Sequence, residues 1–348
     1  MSEQQSKFVV YTTEENLIRL CSEKDNSWYK IIMKVGEVVI STTKGDNWDT
    51  SNPLLQAMHR AGVHFCTGDN EFIKQIATNH PENVLTDPCA AYLLDIDTET
   101  AEKIQKKYGV ICQPQGSPKN ILIQEGWEID TAVCTAAEKS WKSFFKGYNC
   151  PLNSVVIIDR YFFSSEPGER IDISLFNLRQ ILDALLPQTS PENVIQVLII
   201  FDFTKFNRKI DGDCNLQTLA EKVNKVKRGV RDYSYTIELL SINSNCYNYQ
   251  DTHNRRIIAN FSITSALHKL KAFYENNRSM SDQYITFRRL FEKGLKDGDR
   301  STAPAFSQKK ILDNLIEIIE TSKSSMEYAC NGRVSDQGKF EIQNRMLK

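Results

Sequence analysis

The chain has 348 residues, 43 of them Lys or Arg and 44 Asp or Glu, for a formal net charge of -1 with 41% hydrophobic and 25% charged residues. This is the make-up of a globular protein long enough for two domains with sizeable cores. A near-zero charge excludes a global basic field, so any nucleic-acid contact must come from a local patch.

The nine cysteines (Cys21, Cys66, Cys89, Cys112, Cys134, Cys150, Cys214, Cys246 and Cys330) are scattered. They form no CxxC pair and no Cys/His group with zinc-like spacing, and read as free thiols in a reducing compartment. The start, Met1-Ser2-Glu3-Gln4-Gln5, is polar, and no run approaches the ~18 apolar residues that span a bilayer. These features predict a cytoplasmic protein with no membrane span.

In chain order, Lys7–Thr12 and Lys30–Thr42 are rich in β-branched residues and predict strands, the second bent at Gly36-Glu37. Lys44–Asn52 is a loop, Pro53–Ala61 a short helix, Val63–Phe65 a short strand and Asp69–Thr78 a helix capped by Asp69. Cys89–Asp95 is a buried strand. Thr98–Tyr108 is an amphipathic helix with Ala101, Ile104 and Tyr108 on one face, and Gly109–Cys112 returns as a strand. The alternation predicts a small α/β domain over residues 1–130. Its Asp69, Asp87, Asp95 and Asp97 read as caps and loop acids rather than metal ligands. Thr131–Lys146 predicts a linking helix, within residues 131–150, broken at Gly147–Pro151.

The second half, residues 151–300, has the stronger pattern. Val155–Phe163 is an apolar run interrupted by Asp159. Ser174–Leu186 carries Leu175, Leu178, Ile181, Leu182 and Leu185 at the helical period, and Val194–Phe203 is a second apolar run ending near Asp202. A βαβ unit with parallel strands follows from that order, within an α/β domain whose central sheet is mostly parallel. Leu216–Arg228 is a basic helix, Tyr235–Ile242 a strand, Arg255–Ile263 a further strand and Ser281–Gly294 a helix. Within residues 301–348, Gln308–Ser322 is a C-terminal helix and Lys323–Lys348 a loose polar tail.

Chemistry concentrates in Asp251–Asn260, where His253, Arg255 and Arg256 stand at the entrance of a strand. Two fixed positive charges and an imidazole suit a phosphate group. Asp159 and Asp202, near the carboxyl ends of their strands, could support it. Lys222, Lys225, Lys227, Arg228 and Arg231 form the strongest basic run. The nearby Tyr233, Tyr235, Tyr247 and Tyr249 make it a candidate nucleic-acid surface, against the plainer reading of a solvated helix face.

His253-x-Arg255-xxxx-Asn260 has the spacing of the HxKxxxxD motif of the phospholipase D superfamily. With Asp159-Arg160-Tyr161 at the end of the first strand, residues 150–295 resemble the phospholipase D-like C-terminal domain of MIT-domain proteins. The resemblance implies a catalytic role for His253, phosphate binding by Arg255, Arg256 and Asn260, and support from Asp159, Tyr161 and Asp202. Arg255 replaces the family's lysine and Asn260 its aspartate, and no second HxK occurs; His268-Lys269 lacks the spacing. The resemblance therefore implies a non-catalytic interaction or nucleic-acid-associated protein, needing no cofactor or metal and working with other subunits. One alternative is a metal-independent nuclease or phosphodiesterase in which a homodimer joins two copies of His253. Another is a Mg²⁺-dependent nuclease using Asp159 and Asp202.

Overall fold

Apolar residues at the helical period and runs of β-branched residues alternate along the chain, and in a computed structural model they form two compact units. The structure describes residues 8–22, 27–35, 37–41, 52–60, 63–68, 90–94, 96–114, 121–164, 171–205, 215–243, 255–276, 278–279, 282–292 and 304–348. The first unit comprises Met1–Glu125, Pro191–Asn193 and Arg289–Lys310; the second comprises Gly126–Ser190, Val194–Arg288 and Ile311–Lys348.

In the first unit, β1 (Val9–Thr13), β2 (Glu37–Ser41), β3 (His64–Gly68), β4 (Ala90–Leu94) and β5 (Ile111–Pro114) form a parallel sheet in the order β3-β2-β1-β4-β5. Helix α1 (Glu14–Ser22) follows β1 without an intervening loop. Residues 30–35, expected as the start of a strand over Lys30–Thr42, belong instead to helix α2 (Ser27–Val35), because Trp28, Ile31 and Ile32 bury at helical spacing. Helix α3 is Pro53–Arg60. Helix α4 (Thr98–Tyr108) starts at Asp97, whose carboxylate accepts the Thr100 N–H at 2.9 Å, and stops at Gly109 with φ 67°. Its Ala101, Ile104 and Tyr108 pack with Tyr92, Leu94, Val110 and Cys112. The expected helix at residues 69–78 lies outside the described residues, as do Asp69, Asp87 and Asp95.

In the second unit, β7 (Ser154–Ile158), α6 (Ile171–Leu185), β8 (Gln196–Phe201), α7 (Leu216–Arg228) and β9 (Thr236–Ser241) form two consecutive βαβ crossovers. Their strands pair in parallel. The expected parallel sheet is thus the centre of a mixed one that also holds β6 (Trp127–Asp130), β10 (Arg255–Ala259), β11 (Ser262–Ala266), β12 (Tyr284–Arg289), β13 (Glu327–Cys330) and β14 (Arg333–Val334), ordered β14-β13-β9-β8-β7-β10-β11-β12-β6. The flanking strands run antiparallel where β7 meets β10, β10 meets β11, β12 meets β6, and β9, β13 and β14 meet. Tight turns account for the β10–β11 and β13–β14 pairs, since such a turn can join only antiparallel neighbours; the other antiparallel pairs join strands distant in sequence. The run expected as one strand from Arg255 to Ile263 is two, β10 (Arg255–Ala259) and β11 (Ser262–Ala266), turned at Asn260-Phe261.

Three further segments differ from expectation. Ser281–Gly294 contains strand β12 (Tyr284–Arg289), not a helix. Ile285 and Phe287 bury alternately, and Phe287 stacks on Trp127 of β6 (Trp127–Asp130), ring centroids 3.9 Å apart. Thr131–Lys146 is a turn, a 3-10 turn at Ala136–Glu138 and the one-turn helix α5 (Trp141–Phe144). There Trp141 donates its indole N–H to Asn177 at 3.0 Å. The tail after α8 (Pro304–Ser322) is not loose. It contributes β13 (Glu327–Cys330) and β14 (Arg333–Val334). Met326, Tyr328, Phe340 and Met346 join Leu312 and Leu315 over one sheet face, against Val156, Leu198, Leu240 and Ile258. The β13–β14 turn needs Gly332, at φ 86°, where a Cβ would lie 2.9 Å from the Asn224 side chain. Among the described residues, no helix is long and apolar enough to cross a membrane.

Candidate anion-binding site

From β7 the chain adds β8 and β9 on one side, then returns to place β10 on the other. The carboxyl end of β7 is therefore a topological switch point, where connections diverge and open sheets hold ligands. Ile158, the last residue of β7, pairs with Arg256 near the start of β10, so Asp159 and Arg255 fall at the same edge. Ala266, the last residue of β11, pairs with Arg255, which brings Leu267–Lys271 there too.

The carboxylates position the edge. Asp159 is 1% exposed; one oxygen accepts the Tyr161 N–H and the other the Leu270 N–H, each at 2.9 Å. Burial pushes its pKa up, opposed by those two backbone bonds and by the charges of Arg255 and Lys271. Asp202, also buried, accepts the Thr204 N–H at 2.9 Å and lies 3.6 Å from the Arg160 Nε.

The Arg160 guanidinium carbon stands 5.2 Å from the Tyr161 ring centroid and that of Arg255 5.9 Å from it. Two fixed cations thus share one aromatic ring. Arg255 Nη1 also donates to the Leu267 carbonyl at 3.4 Å, and the buried Lys271 Nζ donates to the Ser164 carbonyl at 2.5 Å. A guanidinium presents a planar fork of N–H donors that matches phosphate or carboxylate oxygens, so the arrangement is suited to an anion beside a flat apolar face.

Of the remaining sequence candidates, those among the described residues go elsewhere. His253 lies outside the described residues, as do Tyr247 and Tyr249. Arg256 is half-buried in the ladder between Ile158 and Ser265. Asn260, expected at the phosphate, sits at the opposite edge. Its side-chain oxygen accepts the Asn153 and Ser154 N–H groups at 2.9 Å, and its amide donates to Asn153 Oδ1 at 2.6 Å. Five residues of strand separate Asn260 from Arg255, about 17 Å at the rise of an extended chain.

The basic run also belongs to that far edge, because α7 ends where β9 begins. Lys225 and Arg228 are exposed and Lys222 is half-buried. Lys227 donates to Asn331 at 2.8 Å and lies over the Tyr235 ring. Arg231 turns its side chain into the fold rather than presenting it as a surface cation. Its side chain is 5% exposed, bound to Asp183 at 2.5 Å, and donates to the carbonyls of Asp183, Leu186 and Pro187 past the end of α6.

Among the described residues, no group of three or more His, Cys, Asp or Glu is placed to hold a metal ion. Both Asp159 oxygens accept backbone N–H groups, while Asp202 accepts the Thr204 N–H with one oxygen and faces Arg160 with the other, which gives both a positioning role. Arg160 and Lys271 escaped the sequence reading. Arg160 could have been found from its place between Asp159 and Tyr161, whereas Lys271 carries no local signal. No protein-family model matches the chain, and no curated protein matches it.

Proposed function

We propose that the second unit is a non-catalytic recognition domain that binds a phosphate-bearing ligand at the carboxyl end of β7, as part of a larger cytoplasmic assembly. The pairing of Arg160 and Arg255 on the Tyr161 ring carries this reading. The resemblance of the Asp159-Arg160-Tyr161 and His253-Asn254-Arg255 segments to phospholipase D-like domains is consistent with it. The site offers charge and shape to a ligand, while the asparagine that replaces the family's aspartate serves the far edge of the sheet. Calorimetric titration with pyrophosphate tests the proposal. Binding should weaken at least tenfold in Arg255→Ala and in Tyr161→Leu, and persist in Tyr161→Phe. Equal affinity in wild type and Arg255→Ala would sink it. Turnover of a phosphodiester, abolished by His253→Ala, would instead favour the homodimeric phosphodiesterase.

A further inference from the structure

Beyond Arg255, the same edge of the sheet runs on through the ends of β11, β12 and β6. The Leu267 N–H donates to the Tyr284 carbonyl at 3.0 Å, Tyr284 pairs with Asp130, and the Val133 N–H donates to the Asp130 carbonyl at 3.2 Å. These neighbours carry large apolar side chains that stay in solvent: Leu267 is 60% exposed, Tyr284 41% and Val133 81%. Lone exposed apolar residues need no explanation, but three side by side along one edge do. At the end of this shelf the charge reverses. Glu128, Asp130 and Asp282 are all exposed, with Glu128 shared between Arg288, at 3.6 Å, and the Tyr284 hydroxyl.

The edge is therefore bipolar: cations at β7 and β10, an apolar shelf on β11 and β12, acids at β12 and β6. Resting on the anion-site reading, we infer that the ligand is a phosphorylated peptide. Its phosphate sits at Arg160 and Arg255, an apolar side chain lies on Leu267, Tyr284 and Val133, and a basic residue reaches Asp130 and Asp282. Three strand spacings separate β10 from β6, about 14 Å, which an extended peptide covers in roughly four to five residues. A single-stranded nucleic acid fits this edge poorly, because each added nucleotide carries another phosphate toward the acids. Tyr284 would offer it a stacking face, but the charge order opposes the path.

The test uses fluorescence anisotropy on the full chain with an oriented peptide library. Phosphoserine is fixed, leucine is fixed two residues on and lysine five residues on, and the other positions are degenerate. Controls are the unphosphorylated library, a library with glutamate in place of the lysine, and a twenty-nucleotide oligothymidine. The phosphorylated library should bind at least tenfold more tightly than its unphosphorylated form and about fivefold more tightly than the glutamate version. Asp282→Lys should abolish or reverse the lysine preference. Leu267→Ser with Val133→Ser should weaken the peptides while leaving pyrophosphate affinity unchanged. Tighter binding of the oligothymidine than of any peptide would overturn the inference, as would indifference to Asp282→Lys; both leave the anion site standing. Failure of pyrophosphate to bind would remove both readings.

Discussion

The carboxylate of Asp159 accepts the backbone N–H of Leu270, 111 residues further along the chain, at 2.9 Å. That bond ties the segment leaving β11 to the end of β7, and so places Leu267 and Lys271 beside Arg160 and Arg255. Asp159→Ala would leave the Tyr161 and Leu270 N–H groups without their acceptor. Unsatisfied buried donors cost about 1–3 kcal/mol each, so a loss of roughly 2–6 kcal/mol is expected from urea unfolding. A loss below half of that would show the two N–H groups to be satisfied by water.

Asn260 tests whether the resemblance to an HxKxxxxD motif extends to chemistry. Asn260→Asp restores the motif's residue type, yet the new carboxylate would face Asn153 Oδ1, now 2.6 Å from the Asn260 amide, with no proton to share. The variant should be less stable than the parent by about 1–3 kcal/mol. Its pyrophosphate affinity should stay within about twofold of wild type once folded. A gain in affinity or the appearance of hydrolysis would place Asn260 back at the anion site.

The basic run divides in the same manner. Arg231→Ala removes the brace past the end of α6, including charge-assisted bonds to Asp183 and to three backbone carbonyls. A stability loss of about 2–3 kcal/mol should follow, with Arg231→Lys recovering little because a single ammonium cannot span that set. Lys225→Glu with Arg228→Glu changes exposed charges at the far edge. Stability should hold, and the salt dependence of pyrophosphate binding should keep its slope. A flattened slope would bring the α7 surface into the ligand's path.

Much of this arrangement was legible in the sequence. The apolar runs around Val156 and Leu198, joined by a helix with Leu178, Ile181 and Leu182 at its period, specify adjacent parallel strands. Asp159 and Asp202 could be placed at the strand ends for the same reason. Less legible was anything decided by tertiary packing. Phe287, Leu290 and Phe291 have helical spacing, yet Ile285 and Phe287 obey the period of a strand because β6 supplies the partner. The tail reads as loose because its buried apolar residues, among them Met326, Tyr328, Phe340 and Met346, are interspersed with many polar ones at no regular period. Asn344 anchors it through side-chain bonds to Val155, Gln196 and Ser154 that no local pattern announces. The split of Arg255 and Asn260 between the two edges was hidden for a similar reason. Neighbours in sequence reach opposite edges of a sheet within one strand length.

The docked tail also supplies a pH dependence. Glu238, on β9, has no exposed surface; its Oε1 accepts the Tyr328 hydroxyl at 2.6 Å and the Gln343 N–H at 2.7 Å. Burial raises its pKa above the ordinary carboxylate value, against the opposing effects of those hydrogen bonds and of the Lys348 charge. The folded chain therefore holds this proton more tightly than the unfolded chain does. The stabilisation is fully present below the unfolded-state pKa of ~4.3 and is lost as pH rises through the higher folded-state value. In Glu238→Gln an amide oxygen can still accept both bonds, but the group no longer ionises. Urea midpoints of the variant and the parent should therefore differ least near pH 4, and the difference should move in favour of the variant on going to pH 8. Parallel stability curves for Glu238→Gln and wild type from pH 4 to pH 8 would show that Glu238 does not change its charge over that range.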